Sequence, residues 1–189
     1  MPLAALPLRA WFAAVASLLL PTEDETIEDF SPGDRKDGRT VALGSPLQPS
    51  SVVRMEVLAE GPGQVLAIPD VASLRVTRGG DLKLLVTLPS GRPVSRTFEI
   101  APPGESTALA LFFESDDFER VALVTDRGEW AQVKDIGQHS IETLVLGASE
   151  DAEAWTGSLR GLSIRRGIAS TERLLAELAP PPPPIPRRP

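Results

Sequence analysis

The stretch Asp81–Leu88 reads DLKLLVTL, and its alternation of apolar and polar residues decides the class of fold. Apolar residues stand at every second position from Leu82 to Leu88, with Lys83 and Thr87 between them. Successive side chains of a β-strand point to opposite faces, so this pattern predicts a strand with one buried face and one solvent-exposed face.

The same period of two recurs along most of the chain. In Ala108–Phe113 both alternating sets are apolar, which predicts a strand at the centre of a sheet with both faces covered. The other predicted strands lie near Val53–Val57, Leu74–Thr77, Phe98–Ile100, Val121–Leu123, Ile141–Leu146 and Leu159–Ile164.

Turn residues punctuate these segments at intervals typical of a β-sandwich or barrel of roughly ten strands. None of the glycine pairs belongs to a phosphate-binding or dinucleotide-binding fingerprint, so we interpret them all as turns. The predicted turns are Gly61-Pro62-Gly63, Arg78-Gly79-Gly80-Asp81, Pro89-Ser90-Gly91, Pro102-Pro103-Gly104 and Asp126-Arg127-Gly128.

The late strands carry a family resemblance. The segment Leu144–Gly147, an acidic loop, and then Trp155–Ile164 (WTGSLRGLSI) are followed by Arg165–Ser170. This order resembles the laminin-G-like members of the concanavalin-A-like jelly-roll superfamily, over about residues 39–168 and most strongly over 144–170. Arg165 stands where those proteins usually have a tyrosine. The resemblance implies an all-β, antiparallel two-sheet jelly-roll sandwich.

The ends of the chain differ from this middle part and suggest five segments. We expect an N-terminal hydrophobic segment over residues 1–21, an acidic linker over 22–38 and the sandwich over 39–168. A cap and an apolar stripe predict a short helix over 169–179, and a Pro-rich tail occupies 180–189.

The N-terminal segment MPLAALPLRAWFAAVASLLLP has one charged side chain, Arg9, before its apolar run. A cationic start, an apolar run and a polar exit are typical of a secretory signal or a membrane anchor, and the positive-inside rule then places the sandwich outside the cytoplasm. An apolar N-terminal helix packed against the protein is the alternative. The expected membrane or partner contacts are Trp11, Phe12, Leu18, Leu19 and Leu20.

The C-terminal tail PPPPPIPRRP holds seven of the nineteen prolines of the chain. Such a run forms an extended polyproline II rod, which serves either as a spacer or as a strap that docks in a partner groove. In the second case we expect Pro182, Pro184, Arg187 and Arg188 to be the contacts.

Composition excludes several kinds of site. The chain has no cysteine, one histidine and no tyrosine, so disulfides, thiol chemistry and multi-histidine metal centres are ruled out. A net charge of −7 argues against broad nucleic-acid binding. Sixteen arginines against three lysines suggest a bacterial source.

Acidic residues are the remaining candidates for chemistry. The resemblance implies that loop oxygens could hold calcium, with Asp116 and Asp117 as first candidates ahead of the pairs Asp34/Asp37 and Glu150/Asp151. A glycosidase would need two carboxylates across a cleft, and Glu114 and Glu119 would join the candidates. No nucleophile motif accompanies His139, which we expect to be an exposed loop residue.

We therefore expect no catalysis and no obligatory cofactor. The leading hypothesis is an accessory subunit of a membrane-associated assembly, for example a photosynthetic or respiratory complex, on the periplasmic face and in contact with protein subunits. The alternative is a carbohydrate- or matrix-binding lectin-like module, with calcium as its expected ion. A divergent glycosidase is the third hypothesis.

Overall fold

The computed structural model describes residues 24–31, 38–114, 120–137, 139–147, 155–167 and 178, and these contain twelve β-strands. The strands are β1 (Asp24–Thr26), β2 (Arg39–Leu47), β3 (Val52–Ala59), β4 (Gly63–Ile68), β5 (Ala72–Val76), β6 (Leu82–Thr87), β7 (Pro93–Phe98), β8 (Ser106–Glu114), β9 (Arg120–Thr125), β10 (Trp130–Lys134), β11 (Ile141–Leu146) and β12 (Gly157–Arg165).

Two antiparallel sheets of six strands form a sandwich. Sheet A has the order β1-β12-β3-β8-β9-β10, and sheet B has the order β2-β11-β4-β5-β6-β7. Strands β4 to β7 follow one another in sheet B, and β8 to β10 follow one another in sheet A. The last two strands then return to the first ones: β11 lies between β2 and β4 in sheet B, and β12 lies between β1 and β3 in sheet A. The predicted antiparallel two-sheet jelly roll is confirmed.

The alternation in Asp81–Leu88 has the predicted consequence. Leu82, Leu84 and Val86 of β6 are fully buried in the core between the sheets. The register pairs Leu84 with Leu74 of β5, so like faces meet across the strands. All five predicted turns separate strands or precede them directly.

Strand β8 is central in sheet A, as the apolar character of both its faces predicts. Leu109, Leu111 and Phe113 face the inter-sheet core. Ala110 and Phe112 face outward and are also buried. They belong to an outer cluster whose members are Val52, Ala110, Phe112, Ala122, Val124 and Leu178.

Leu178 is the one residue of the predicted C-terminal helix that the structure describes. Its backbone is helical, and its side chain is buried in the outer cluster. The apolar stripe that predicted this helix therefore contributes at least one side chain to the cover of sheet A.

The sandwich begins earlier than the predicted boundary at residue 39. Strand β1 pairs with β12 inside the stretch expected to be an acidic linker, and Phe30 forms a further bridge with Leu159. Ile27 is buried in the core and Phe30 packs against it. Two apolar residues among many acids give no recognisable period, so this strand has no clear signal in the sequence.

A buried ion pair joins the edges of the two sheets next to β1. Arg166 Nη2 donates to Glu25 Oε2 at 3.1 Å and to the Ser45 carbonyl oxygen at 2.7 Å. Glu25 Oε1 accepts from the Gly44 backbone N–H at 2.9 Å. Because Glu25 lies on β1 of sheet A and Gly44 and Ser45 lie on β2 of sheet B, this edge clamp ties the sheets together.

Several predictions fall outside the described residues. These are the N-terminal segment with Trp11, Phe12, Leu18, Leu19 and Leu20, and the tail with Pro182, Pro184, Arg187 and Arg188. Among the described residues, no helix has the length and apolar character needed to cross a membrane.

Candidate functional site

A cleft opens at the end of the sandwich where β3 finishes and β12 begins. We call it the rim cleft, and its volume is about 430 Å³. Its lining combines hydroxyl groups, two charged side chains of opposite sign and apolar groups. The lining residues are Ser31, Leu58, Glu60, Trp155, Thr156, Gly157, Ser158 and Arg160.

Backbone hydrogen bonds bring these distant segments together. The N–H groups of Glu60 and Gly61 both donate to the Thr156 carbonyl oxygen, each at 3.1 Å. Phe30 and Leu159 exchange two backbone hydrogen bonds of 2.8 Å and 2.7 Å, which places Ser31 beside the start of β12. Three segments far apart in the chain therefore form one wall.

Gly157 permits the tight packing of this corner. A Cβ atom there would lie 2.6 Å from Cζ2 of Trp155 and would also overlap the Leu58 carbonyl oxygen. Real Cβ atoms do not approach other atoms so closely, so any side chain at Gly157 would displace the indole or strand β3.

A β-bulge in β12 follows Arg160. The register between β12 and β3 shifts between Arg160 and Ser163. Asp29 holds the bulge, because its Oδ1 accepts from the Gly161 N–H at 2.8 Å. Bulges commonly re-aim a side chain next to a functional site, and here Arg160 lies opposite Glu56 at the edge of the cleft.

The charged groups of the cleft have no partner within the described part of the chain. Neither Glu60 nor Arg160 forms an ion pair or a side-chain hydrogen bond there. Both residues are exposed. Their hydrogen-bonding capacity is therefore available to a bound molecule rather than used in an internal pair.

Two buried polar atoms lie in the wall of the cleft. Trp155 Nε1 and Ser158 Oγ are covered from solvent and find no hydrogen-bond partner among the residues that the structure describes. A buried donor left unpaired costs about 1–3 kcal/mol, so such groups are uncommon in native proteins.

A smaller cleft of about 180 Å³ adjoins the rim cleft and shares Leu58 and Arg160 with it. It extends onto the outer face of sheet A, where Glu56 and Ser106 line it. Arg160 therefore stands between the two clefts, with Glu60 on one side and Glu56 on the other.

Most of the residues predicted to bind calcium or to act in a glycosidase lie outside the described part of the chain. Asp116, Asp117 and Glu119 lie outside the described residues, as do Asp34, Asp37, Glu150 and Asp151. The described part of the chain contains no group of three or more His, Asp or Glu side chains placed to hold a metal ion. Glu114 ends β8 and accepts a hydrogen bond from the side chain of Gln132 on β10.

His139 has a structural contact and is half-buried, so the expectation of an exposed loop residue is wrong. Its Nε2 lies 2.6 Å from the Ile136 carbonyl oxygen. A carbonyl oxygen only accepts, so this nitrogen carries the proton. The hydrogen bond therefore joins two residues of the same loop, three positions apart. Of the two described tryptophans, Trp155 is in the core and Trp130 begins edge strand β10.

Solved structures with the same arrangement of strands identify the fold. The heptameric SAP-like pentraxin from Limulus polyphemus is 17% identical, with a TM-score of 0.56 over 80% of this chain and 81% of that one. The receptor binding domain of botulinum neurotoxin D is 12% identical, with a TM-score of 0.61 over 84% of this chain and 48% of that one.

This chain has the concanavalin-A-like jelly-roll fold. A third similar structure is the botulinum neurotoxin serotype D ligand binding domain in complex with N-acetylneuraminic acid, at 13% identity and a TM-score of 0.58 over 83% of this chain. The chain spans less than half the length of these toxin domains. No protein-family model and no curated protein matches the sequence.

Proposed function

We propose that this jelly-roll domain is a non-catalytic recognition module whose rim cleft binds a carbohydrate. The observation that carries the proposal is the convergence of exposed, unpartnered polar groups at one corner: the Arg160 guanidinium, the Glu60 carboxylate and the Thr156 hydroxyl. Ligand sites typically combine apolar walls with a few convergent polar groups in a volume of about 300–1,000 Å³.

The chemistry of the lining fits a sugar ring. Hydroxyl groups both donate and accept hydrogen bonds, so they pair with a guanidinium donor, a carboxylate acceptor and the Ser31 and Thr156 hydroxyls. Leu58 supplies an apolar surface for the C–H face of the ring. The toxin domain that holds N-acetylneuraminic acid is a supporting analogy at the level of fold.

The arrangement of carboxylates favours binding over hydrolysis. A glycosidase places two carboxyl groups across one scissile bond. Here Glu60 lines the rim cleft and Glu56 lines the adjoining one, with Arg160 between the two spaces. The two carboxylates therefore do not face each other across one shared space.

The test is binding of an oligosaccharide panel to the whole chain, followed by calorimetry on the best binder. We expect Arg160→Ala to weaken binding at least tenfold and Thr156→Val to weaken it severalfold, because each removes a hydrogen bond to the sugar. Arg92→Ala is the matched control, since Arg92 is an exposed arginine in the turn at the far end of β6. Equal affinities for Arg160→Ala and the control would contradict the proposal.

Calcium binding remains a prediction for Asp116 and Asp117, which lie outside the described residues. The same titration repeated with a chelator tests it. A requirement for calcium that Asp116→Asn abolishes would support the site, and identical binding with and without the chelator would overturn it.

A second candidate function is the accessory subunit of a membrane-associated assembly on the periplasmic face. One feature of the fold favours it: Asp24 at the start of β1 pairs with Arg165 at the end of β12, so the first described strand begins where the last one ends. Gentle detergent extraction from native membranes, with sizing, tests this function. We expect a defined large complex, and recovery as a free ~20 kDa species would overturn it.

A further inference from the structure

The outer face of sheet B carries positive charge in an acidic protein. The chain has 26 Asp and Glu residues, yet none falls in the four consecutive strands β4 to β7. Those strands hold Arg75, Lys83 and Arg96 instead. The acidic surplus of the chain is therefore absent from these four strands.

Two of these cations are direct neighbours. Arg75 of β5 pairs with Lys83 of β6 in the antiparallel register, and both side chains are on the outer face. Like charges directly opposite each other are destabilising in a sheet. Neither forms an ion pair or side-chain hydrogen bond with any residue that the structure describes, so no internal carboxylate offsets their repulsion.

These cations line a cleft of about 380 Å³, which we call the cationic cleft. Arg78 joins them from the turn that links the two strands, and Pro62 and Leu85 supply apolar walls. Apolar walls lower the local dielectric and strengthen the attraction of a concave cationic surface for an anion.

The cationic cleft and the rim cleft are each adjacent to a third cleft that shares lining residues with both. A middle cleft of about 330 Å³ lies between them. It shares Glu60 with the rim cleft, and it shares Pro62 and Arg78 with the cationic cleft. Three spaces therefore follow one another around the corner that joins β3 to β4, along a single end of the sandwich.

We infer that this track binds one linear acidic polysaccharide. Building on the proposed function, the rim cleft takes the hydroxyl groups of one sugar, and the cationic cleft takes a carboxylate or sulfate carried by another sugar further along the same chain. A single small sugar would occupy only one of the three spaces, and a neutral polymer would leave the Arg75–Lys83 repulsion uncompensated. The cationic cleft thus selects for acidic polymers.

The experiment compares acidic and neutral forms of the same oligomer on the whole chain. One pair is hexagalacturonate and its fully methyl-esterified form, and a second pair is sulfated dextran and dextran, so that the arms distinguish carboxylate from sulfate. At low salt we expect the acidic form in at least one pair to bind roughly tenfold more tightly than its neutral form, with the difference shrinking as salt rises.

The double variant R75Q/K83Q is expected to remove that preference and leave the affinity for the neutral form unchanged. The variant R92Q/K134Q is the matched control, because it removes the same charge from exposed residues at the opposite end of the molecule. If both variants lose affinity equally, only net charge matters and the inference fails. It also fails if R75Q/K83Q changes nothing or if duplex DNA competes through the same residues.

These outcomes separate the inference from the proposed function. Neutral binding that depends on Arg160, with no preference for acidic forms, would overturn the inference and leave the proposed function intact. Absence of binding to any oligosaccharide, acidic or neutral, would overturn both.

Discussion

Replacing Trp155 with alanine is expected to lower the free energy of unfolding by about 3–5 kcal/mol, the usual range for a large aromatic residue in a core. Trp155 is 1% exposed and heads the set of large, fully buried side chains. Its indole N–H has no hydrogen-bond partner in the described part of the chain, so the loss comes from packing and from the cavity left behind. Urea unfolding followed by circular dichroism measures the change.

Trp130→Ala is the matched control for this prediction. Trp130 is 54% exposed at the start of edge strand β10, so its removal uncovers little apolar surface and should cost less than about 1 kcal/mol. Equal losses for the two tryptophans would mean that the rim corner is not part of the cooperative core.

Glu25→Gln is expected to lower the free energy of unfolding by about 3 kcal/mol, because it leaves the Arg166 guanidinium buried without its counter-charge. The Arg166 side chain is 9% exposed, whereas that of Glu25 is 25% exposed. The substitution keeps the shape of the side chain and places an amide against the guanidinium. The same urea unfolding measures the change.

Arg166→Met provides the comparison for the edge clamp. It removes the buried charge itself and leaves Glu25 in partial contact with water, so it should cost less than Glu25→Gln, and the double variant should resemble Arg166→Met alone. Additive effects of the two substitutions would show that Glu25 and Arg166 act independently, against the hydrogen bonds described for them.

The fold could be predicted because the sequence patterns that specify its strands and turns are local. Alternation in Asp81–Leu88, apolar residues on both faces of Ala108–Phe113 and glycine-containing turns each act within one or two strands. Strand β1 was missed because its three residues are acidic and polar, and their partners on β12 are more than 130 positions away. Long-range pairing of that kind leaves no periodic signal in a single sequence.

The candidate site could be predicted only in part. Trp155 and Gly157 stood out through the resemblance, but Ser31, Glu60 and Thr156 come from three distant segments and had no common motif. The Arg75–Lys83 pair did have a local signal, since the turn at Arg78–Asp81 sets the register of its hairpin. The significance of the pair depends on its having no ion-pair partner among the described residues, which only the assembled sheets reveal.

The direction of β12 also determines how the domain would be displayed. The strand begins at the rim cleft and ends at Arg165, beside the point where β1 starts. Nine residues of extended chain separate these points by about 30 Å. If the domain were attached to a surface near Arg165 and β1, the proposed binding track would lie at the opposite end and face away from that surface. A long polymer could then reach the track without a steric clash with the attachment site.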